Sequence, residues 1–337
     1  VHSSFDDDIS LQALLAVLAD GCFHSGQELG EILGVSRAAV WKQLQKLEPL
    51  GIRLQSVKGK GYCLEGGLEL LSASSIVAGL DPLARQLLAQ LDIHPVIDST
   101  NAQALRDGLT CGSGYTCLAE FQTAGRGRRG RTWVSPFGKN IYLSLLWTFD
   151  GGAAELEGLS LAIGVTIAEV LQRLGVSDIQ LKWPNDVLWR KRKLAGILLE
   201  MTGDPAGVCQ VVVGIGVNVA MPAEAADSID QPWVDMRSIL NELNLPAESL
   251  GRNQLVAALL SELLPLLSRY QLDRFASYRM RWETLNAYAG KTVEVRMANS
   301  EVVGELLGVN EAGALRLQTA AGEQLFYGGE ISLRVAS

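Results

Sequence analysis

Histidine is nearly missing from this chain: His2, His24 and His94 are the only three. They are too few and too dispersed for a metal cluster or a serine–histidine–acid triad, so hydrolase chemistry of that kind starts without support. Cysteine is scarce as well. Cys22, Cys63, Cys111, Cys117 and Cys209 are odd in number, none stands in Cys-x-x-Cys spacing, and none lies beside a histidine pair. Neither a zinc site nor a disulfide framework is indicated, and the thiols are expected to be reduced. No uninterrupted apolar run approaches the roughly 20 residues needed to cross a bilayer. Residues 1–8 carry three consecutive acids where a secretory signal has a basic flank, so a cytoplasmic protein without a membrane segment is expected. Nor is there a Walker A loop, an internal repeat or a low-complexity tract. Bases are outnumbered, 29 against 37 acids, and a net charge of -8 argues against a protein that coats nucleic acid indiscriminately.

What is present is enough apolar material, 48% of 337 residues, for two or three cores. Ile9, Leu11, Leu14, Leu15 and Leu18 recur at helical spacing after Asp8, a candidate N-cap, and Gly21 ends the run. Ser25 and Glu28 have capping-box spacing ahead of Leu29, Ile32 and Leu33, with Gly34 where a helix stops. Ser36 then caps a third helix whose stripe is Val40, Leu44 and Leu47, leaving Arg37, Trp41, Lys42, Gln45 and Lys46 off it. Two short strands follow within 52–64, about the turn Lys58-Gly59-Lys60-Gly61. The pattern is a winged helix-turn-helix. Between Gly34 and Leu64 six bases face one acid, Glu48. A basic island in an acidic chain is a candidate DNA surface, with Ser36, Arg37, Trp41, Lys42, Gln45, Lys46, Lys58 and Lys60 as its contacts.

A helical linker with Leu80, Pro82, Leu83, Leu87 and Leu91 precedes a strand-like 94–97. Strands are expected at 116–120, 140–147, 179–183, 187–189, 194–201 and 210–214, with a helix over 159–174, which is a mixed α/β arrangement. Helices near 253–270 and 273–287 lead into five short strand runs between Lys291 and Val335, broken at Asn299-Ser300, Glu311-Ala312-Gly313 and Ala321-Gly322. A small closed β-barrel fits them. The fold class is therefore α+β and multidomain, divided at 1–66, 67–287 and 288–337.

The densest chemistry lies between Gln122 and Asn140. Gly125, Gly127 and Gly130 satisfy G-x-G-x-x-G, but no apolar helix follows, Pro136 interrupts, and four arginines (Arg126, Arg128, Arg129, Arg131) occupy places a strand-to-helix turn keeps small, so the dinucleotide reading fails. What remains is a mobile glycine-rich loop with four guanidinium groups and no carboxylate of its own, suited to a polyphosphate or an acyl phosphate. Downstream, Lys182-Trp183-Pro184-Asn185-Asp186 and Lys193-Leu194-Ala195-Gly196-Ile197-Leu198 place Lys182 and Lys193 where both converge on one sheet end, near a developing negative charge.

The run from Gln122 to Asn140, with Ser99-Thr100-Asn101 before it and Lys182 to Asp186 and Lys193 to Leu198 after it, resembles the biotin-protein ligase family. The winged helix-turn-helix in front makes it similar to the bifunctional type that is also the biotin-operon repressor, and the likeness runs to Gly328-Gly329-Glu330-Ile331-Ser332-Leu333-Arg334. The resemblance implies a central ligase domain and an SH3-like barrel. It implies that ATP and biotin are substrates, that a biotin carboxyl carrier protein is the acceptor, and that operator DNA is bound. By the same resemblance Ser99, Thr100, Asn101 and Gln122 lie at the biotin site, Trp133 covers ring and chain, and Arg126, Gly127 and Arg128 close over the biotin carboxylate and the α-phosphate. Lys193 steadies both, so Lys193, Arg126 and Arg128 are the catalytic candidates. Asn218 and Trp233 fall around the adenine side. Asp186 is the carboxylate nominated for Mg²⁺. Lys193 is expected to meet its partner charges only with substrate, and the adenylate-bound protein is expected to be a homodimer. Two other readings stand beside this one: a ligand-sensing regulator without ligase activity, and a ligase whose winged helix no longer binds DNA. Biotin-dependent pyrophosphate exchange separates the first, operator binding the second.

Overall fold

Residues 5–246, 250–297, 300–328 and 332–335 are described by the computed structural model. Helix α1 (Phe5–Leu18) buries Leu11, Leu14, Leu15 and Leu18 along one face. It begins three residues before the expected cap, so Asp8 lies inside the helix. Helix α2 (Gly26–Leu33) carries the full capping box: Ser25 Oγ accepts from the Glu28 amide, and the Glu28 carboxylate accepts from the Ser25 amide. It stops at Gly34, whose φ of +67° a side chain resists. Helix α3 (Arg37–Leu44), capped by Ser36, approaches α2 closely because Gly30 lacks a side chain; a Cβ there would stand 2.7 Å from the Val35 carbonyl oxygen. Strands β1 (Leu54–Val57) and β2 (Gly61–Leu64) pair antiparallel as the wing. Val40, Leu44, Leu47 and Leu64 close a small core with the α1 leucines, and Phe137 from the central part fills its last side.

The chain then runs through α4 (Ala73–Ala78), α5 (Pro82–Leu87), β3 (Gln90–His94), α6 (Thr100–Cys111), β4 (Tyr115–Ala119), β5 (Ile141–Phe149), α7 (Leu159–Arg173), β6 (Ile179–Lys182), β7 (Asp186–Trp189), β8 (Arg192–Gly203) and β9 (Cys209–Val217). The seven strands form one sheet in the order β3-β4-β5-β9-β8-β7-β6, parallel only between β3 and β4. The edge strand expected at 94–97 sits instead at Gln90–His94, so Leu91 belongs to the sheet and not to the linker helix. Pro95 explains the shift: it has no amide to donate to a ladder, and beyond it only Ile97 bridges to Gln122. The β7–β8 connection is a two-residue turn with Arg190 and Lys191 at φ +45° and +66°, the conformation that matches strand twist in tight hairpins. Arg190 and Arg192 stack on Trp189, 4.3 and 4.7 Å from its ring centroid.

Helices α8 (Ala223–Ala226) and α9 (Met236–Glu242) follow, then α10 (Arg252–Asp273) and α11 (Ala276–Leu285). By length and composition α10 alone among the described helices is apolar enough to cross a membrane, with 22 residues and a mean hydropathy of 1.2. Its Leu255, Leu259, Leu260, Leu263, Leu264 and Leu267 are all buried in the core that α7 also fills. The last five strands, β10 (Thr292–Arg296), β11 (Glu301–Val309), β12 (Leu315–Thr319), β13 (Gly322–Phe326) and β14 (Ser332–Val335), form an antiparallel sheet in the order β13-β12-β11-β10-β14. The turn residue Asn299 and the Gly329-Glu330-Ile331 portion of the C-terminal run lie outside the described residues. Val293, Leu306, Leu315 and Leu333 of this sheet share one continuous core with the central strands, and Trp183 Nε1 donates to the Gly313 carbonyl at 3.1 Å across the junction.

Candidate active site

One cavity gathers most of the residues singled out above. Ser99, Thr100, Asn101, Gln122, Arg126, Gly127, Arg128, Trp133, Lys182, Asp186 and Lys193 line it together, with Leu333 contributed by the C-terminal sheet. Its floor is neutral and hydrogen-bonded. Gln122 Oε1 accepts from the Thr100 amide at 2.9 Å and from Thr100 Oγ1 at 3.2 Å, while Gln122 Nε2 donates to Ser135 Oγ at 3.1 Å. Ser144 Oγ lies 2.8 Å from Thr100 Oγ1 and 2.6 Å from Asn101 Oδ1. Ser99, Thr100 and Asn101 are buried because they open α6, which packs on β4 and β5.

Trp133 forms one wall, where glycine is required opposite it: a Cβ at Gly196 would stand 3.0 Å from the indole, and one at Gly216 nearer still. The indole Nε1 is buried without a hydrogen-bond partner. The arginine loop is folded on itself: the Trp133 amide donates to the Gly125 carbonyl, the Gly127 amide donates to the Arg131 carbonyl at 2.7 Å, and Arg129 takes the left-handed conformation at φ +59°. It is not without carboxylate contact, as the loop sequence by itself suggests, because β8 supplies Glu200, 3.1 Å from Arg126 Nη2. Arg128 Nη1 donates to Asn185 Oδ1 at 3.2 Å, and Asn185 is itself held by the Ile197 carbonyl. Burial pushes the Arg128 guanidinium below its ordinary pKa, partly offset by Asp186; an arginine so shifted still carries its charge.

Lys193 departs from expectation. Its ammonium has a partner within the protein, Asp186 Oδ1 at 2.7 Å, with both side chains largely buried. The contact is one of charge, since Asp186 Oδ1 has no aligned hydrogen bond. A register shift between Val187 and Leu188 lets the β8 strand turn Lys193 toward that carboxylate. Asp186 is therefore the counterion of Lys193, and among the described residues no cluster of three potential metal ligands exists. Asn218 and Trp233 are not in this cavity. They line a neighbouring one that shares Trp133 and Lys193 as a partition, and Asn218 Nδ2 donates to the Val234 carbonyl at 3.2 Å.

Comparison with known proteins agrees with this arrangement. Residues 93–218 match the biotin/lipoate A/B protein ligase family, residues 10–63 an HTH domain, and residues 288–334 the biotin protein ligase C-terminal domain. The bifunctional ligase/repressor BirA of Escherichia coli K12 is 42% identical over 98% of this chain and 99% of its own length. This chain belongs to the biotin protein ligase family, in its bifunctional ligase/repressor branch. The biotin--[acetyl-CoA-carboxylase] ligase of Paracoccus denitrificans, named as a ligase only, is 37% identical and covers 69% of this ligase against 96% of itself. The biotin protein ligase of Aquifex aeolicus, solved in complex with biotin and ATP, superposes with a TM-score of 0.62 at 27% identity, covering 73% of this ligase and 99% of that chain.

In this ligase the DNA-facing candidates sit apart from the cavity, on the winged helix. Arg37, Trp41, Lys42 and Gln45 are exposed along α3, as are Lys58 and Lys60 on the wing, while Lys46 is half-buried. Ser36 Oγ is occupied as the α3 cap, accepting from the Ala39 amide at 3.2 Å. The Arg37 stem packs back over Gly26, and the Lys60 ammonium lies 5.8 Å from the Phe23 ring centroid. Ser135, Ser144, Asn185 and Glu200 are the site residues the sequence reading missed. Of these Ser135, inside the Gln122 to Asn140 run, and Asn185, inside the Lys182 to Asp186 run, carried a signal; Ser144 and Glu200 did not.

Proposed function

We propose that this ligase joins biotin to ATP and passes the biotinyl group to a lysine of a biotin carboxyl carrier protein, and that with biotinyl-5'-AMP as corepressor it represses biotin synthesis genes. The observation that carries the reading is the cavity itself, where Arg126, Arg128, Arg129, Arg131, Lys182 and Lys193 surround a neutral polar floor with Asp186 as the one lining carboxylate among the described residues. Such a site suits a neutral ureido ring beside two anions that must react. The biotin carboxylate oxygen attacks the α-phosphorus, the bond to the β-phosphate oxygen breaks, and pyrophosphate leaves with its electron pair. In the second step the acceptor lysine amine attacks the acyl carbon, AMP leaves, and the amine loses a proton. No enzyme nucleophile is needed. The protein orients the reactants and offsets repulsion between them, the roles assigned to Arg126, Arg128 and Lys193, with Ser99, Thr100, Asn101 and Gln122 around the ring, Trp133 over it, the Gly127 backbone against the phosphate, and Asn218 and Trp233 toward the adenine. The 1–66, 67–287 and 288–337 division assigns DNA binding, catalysis and cavity closure in turn. Incubation with ATP, biotin and a carrier domain, followed by mass analysis, is expected to add one biotinyl group to the carrier; an unmodified carrier overturns the reading.

Magnesium does not fit here as a resident metal. Asp186 is committed to Lys193, and among the described residues no second carboxylate lines the cavity. The Mg²⁺ belongs instead with the nucleotide phosphates, which commonly hold it with little help from protein. ATP and operator DNA as partners place the work in the cytoplasm.

For DNA, Lys42 and Lys58 are assigned to phosphates. Lys42→Ala and Lys58→Ala are each expected to weaken binding across sequences and to reduce the slope of log K against log salt by about 0.9, while sparing catalysis. Salt titrations of operator binding check this, and an unchanged slope in both variants counts against the docking face. One winged helix covers only a half-site, so repression calls for a two-fold pair. The adenylate is proposed to order the segments 125–139 and 216–233 and thereby favour a homodimer, a coupling typically of about 1–3 kcal/mol. Sedimentation equilibrium with and without biotinyl-5'-AMP, at matched salt, is expected to show tighter dimerisation with it; equal constants defeat the coupling.

A further inference from the structure

Arg126 stands between two glycines, Gly125 and Gly127, so nothing local restrains where its guanidinium points. The restraint comes from the sheet. Arg126 Nη2 lies 3.1 Å from Glu200 Oε1 and 3.2 Å from Oε2, straddling the carboxylate with one nitrogen. Glu200 is fixed from behind: Asn101 Nδ2 donates to its Oε2 at 2.7 Å, and Ser144 Oγ donates to Asn101 Oδ1 at 2.6 Å. Asn101 and Ser144 are 4% and 0% exposed and belong to α6 and β5, while Glu200 belongs to β8, so the whole relay rests on packed elements. The second amide hydrogen of Asn101 faces the Leu198 carbonyl at 3.4 Å, which fixes the amide further. The other two nitrogens of Arg126, Nε and Nη1, have no protein partner among the described residues.

We infer that Glu200 is a positioning residue: held by Asn101 and Ser144, it holds Arg126 by Nη2 and so aims the Nη1 amino group at the substrate carboxylate. Donors on a guanidinium point in fixed directions within its plane, so holding one nitrogen sets where the others aim. Fixing the guanidinium before substrate arrives removes an ordering cost from the reaction. The charge that draws the substrate then comes from Arg128 and Lys182, leaving the Arg126–Glu200 pair to set direction. This rests on the ligase reading above, and wild-type biotin-dependent pyrophosphate exchange, measured first, tests that reading alone.

The test of Glu200 is a double-mutant cycle. Glu200→Gln keeps the size and the acceptor for Asn101 but loses the charge that holds Arg126. Pyrophosphate exchange would be measured for wild type, Glu200→Gln, Arg126→Ala and the double variant, with calorimetric binding of biotinol, the alcohol that lacks the carboxylate, as the second measurement. Glu200→Gln is expected to lower kcat/KM for biotin about 10-fold in the wild-type background, to cost less than about twofold once Arg126 is already alanine, and to leave biotinol affinity unchanged. Equal losses in both backgrounds, no loss in the first, or a matching fall in biotinol affinity would each overturn the assignment, since a merely structural role acts whether or not Arg126 is present.

Discussion

Lys193→Ala is expected to lose biotin-dependent pyrophosphate exchange by on the order of 100-fold or more, the usual effect of removing one donor aimed at charge that develops in a transition state. The lysine is placed for this by geometry. It enters the cavity beside Trp133, 5.4 Å from the ring centroid, and its backbone is pinned on both sides: its amide donates to the Pro232 carbonyl at 2.9 Å, and the Val234 amide donates to its carbonyl at 2.9 Å. Because Asp186 already partners it, the variant strands a carboxylate, and a stability loss of about 1–2 kcal/mol should accompany the kinetic one. Arg128 stands close enough to Asp186 to relieve part of that cost. Combining Lys193→Met with Asp186→Asn removes both charges and is expected to restore the melting temperature but not the exchange rate. Near-normal exchange by a folded Lys193→Ala protein would remove Lys193 from the chemistry.

The contrast between Lys193 and Asp186 shows where the sequence is legible and where it is not. The 3–4 spacing of Leu11, Leu14, Leu15 and Leu18, the Ser25/Glu28 box and the Ser36 cap are local rules, and the helices follow them. The strands of the central sheet after β3 were legible as short apolar runs, whereas β3 lies N-terminal to the expected 94–97. Helix α6 was not legible. Its buried side is made of small residues, with Ala104 fully enclosed and Gly108 packed against Leu146, so it shows no apolar stripe, and its first turn read instead as a ligand segment. Glu200 and Ser144 escaped notice because each reaches the site through contacts with Asn101, tens of positions away in the chain. Contact of that kind is set by register, and a shift such as the one beside Leu188 re-aims a side chain without leaving a mark in composition.

Arg252→Ala is expected to destabilise the folded protein by about 3–5 kcal/mol, the usual consequence of leaving one charge of a buried pair behind. Arg252 and Glu120 are 4% and 5% exposed and face each other at 2.8 Å, in charge contact without an aligned hydrogen bond between those two atoms. The other donors of Arg252 are well used: Nε donates to the Asn140 carbonyl at 3.1 Å and Nη1 to the Glu69 carbonyl at 2.8 Å. Glu120 Oε1 in turn accepts from the Leu71 amide at 2.6 Å, and the Glu69 carboxylate accepts from the Arg252 amide at 2.7 Å. One ion pair thus ties the segment leading out of the winged helix, at Glu69 and Leu71, to the end of the arginine loop at Asn140 and to the start of α10. Asn140 carries the connection further, its Oδ1 accepting from the Val219 amide at 2.9 Å beside the second cavity. Removal of Arg252 therefore unbinds three segments at once, and Glu120 is left buried and uncompensated. A Glu120→Gln/Arg252→Met pair, which buries no charge, should recover much of the loss even though it cannot rebuild the carbonyl contacts. Urea unfolding of wild type and the two variants followed by tryptophan fluorescence measures the differences, since Trp183, Trp189 and Trp282 are all buried in the affected core. An Arg252→Ala protein within about 1 kcal/mol of wild type, near the median for an exposed ion pair, would mean that the pair contributes no more than a surface one.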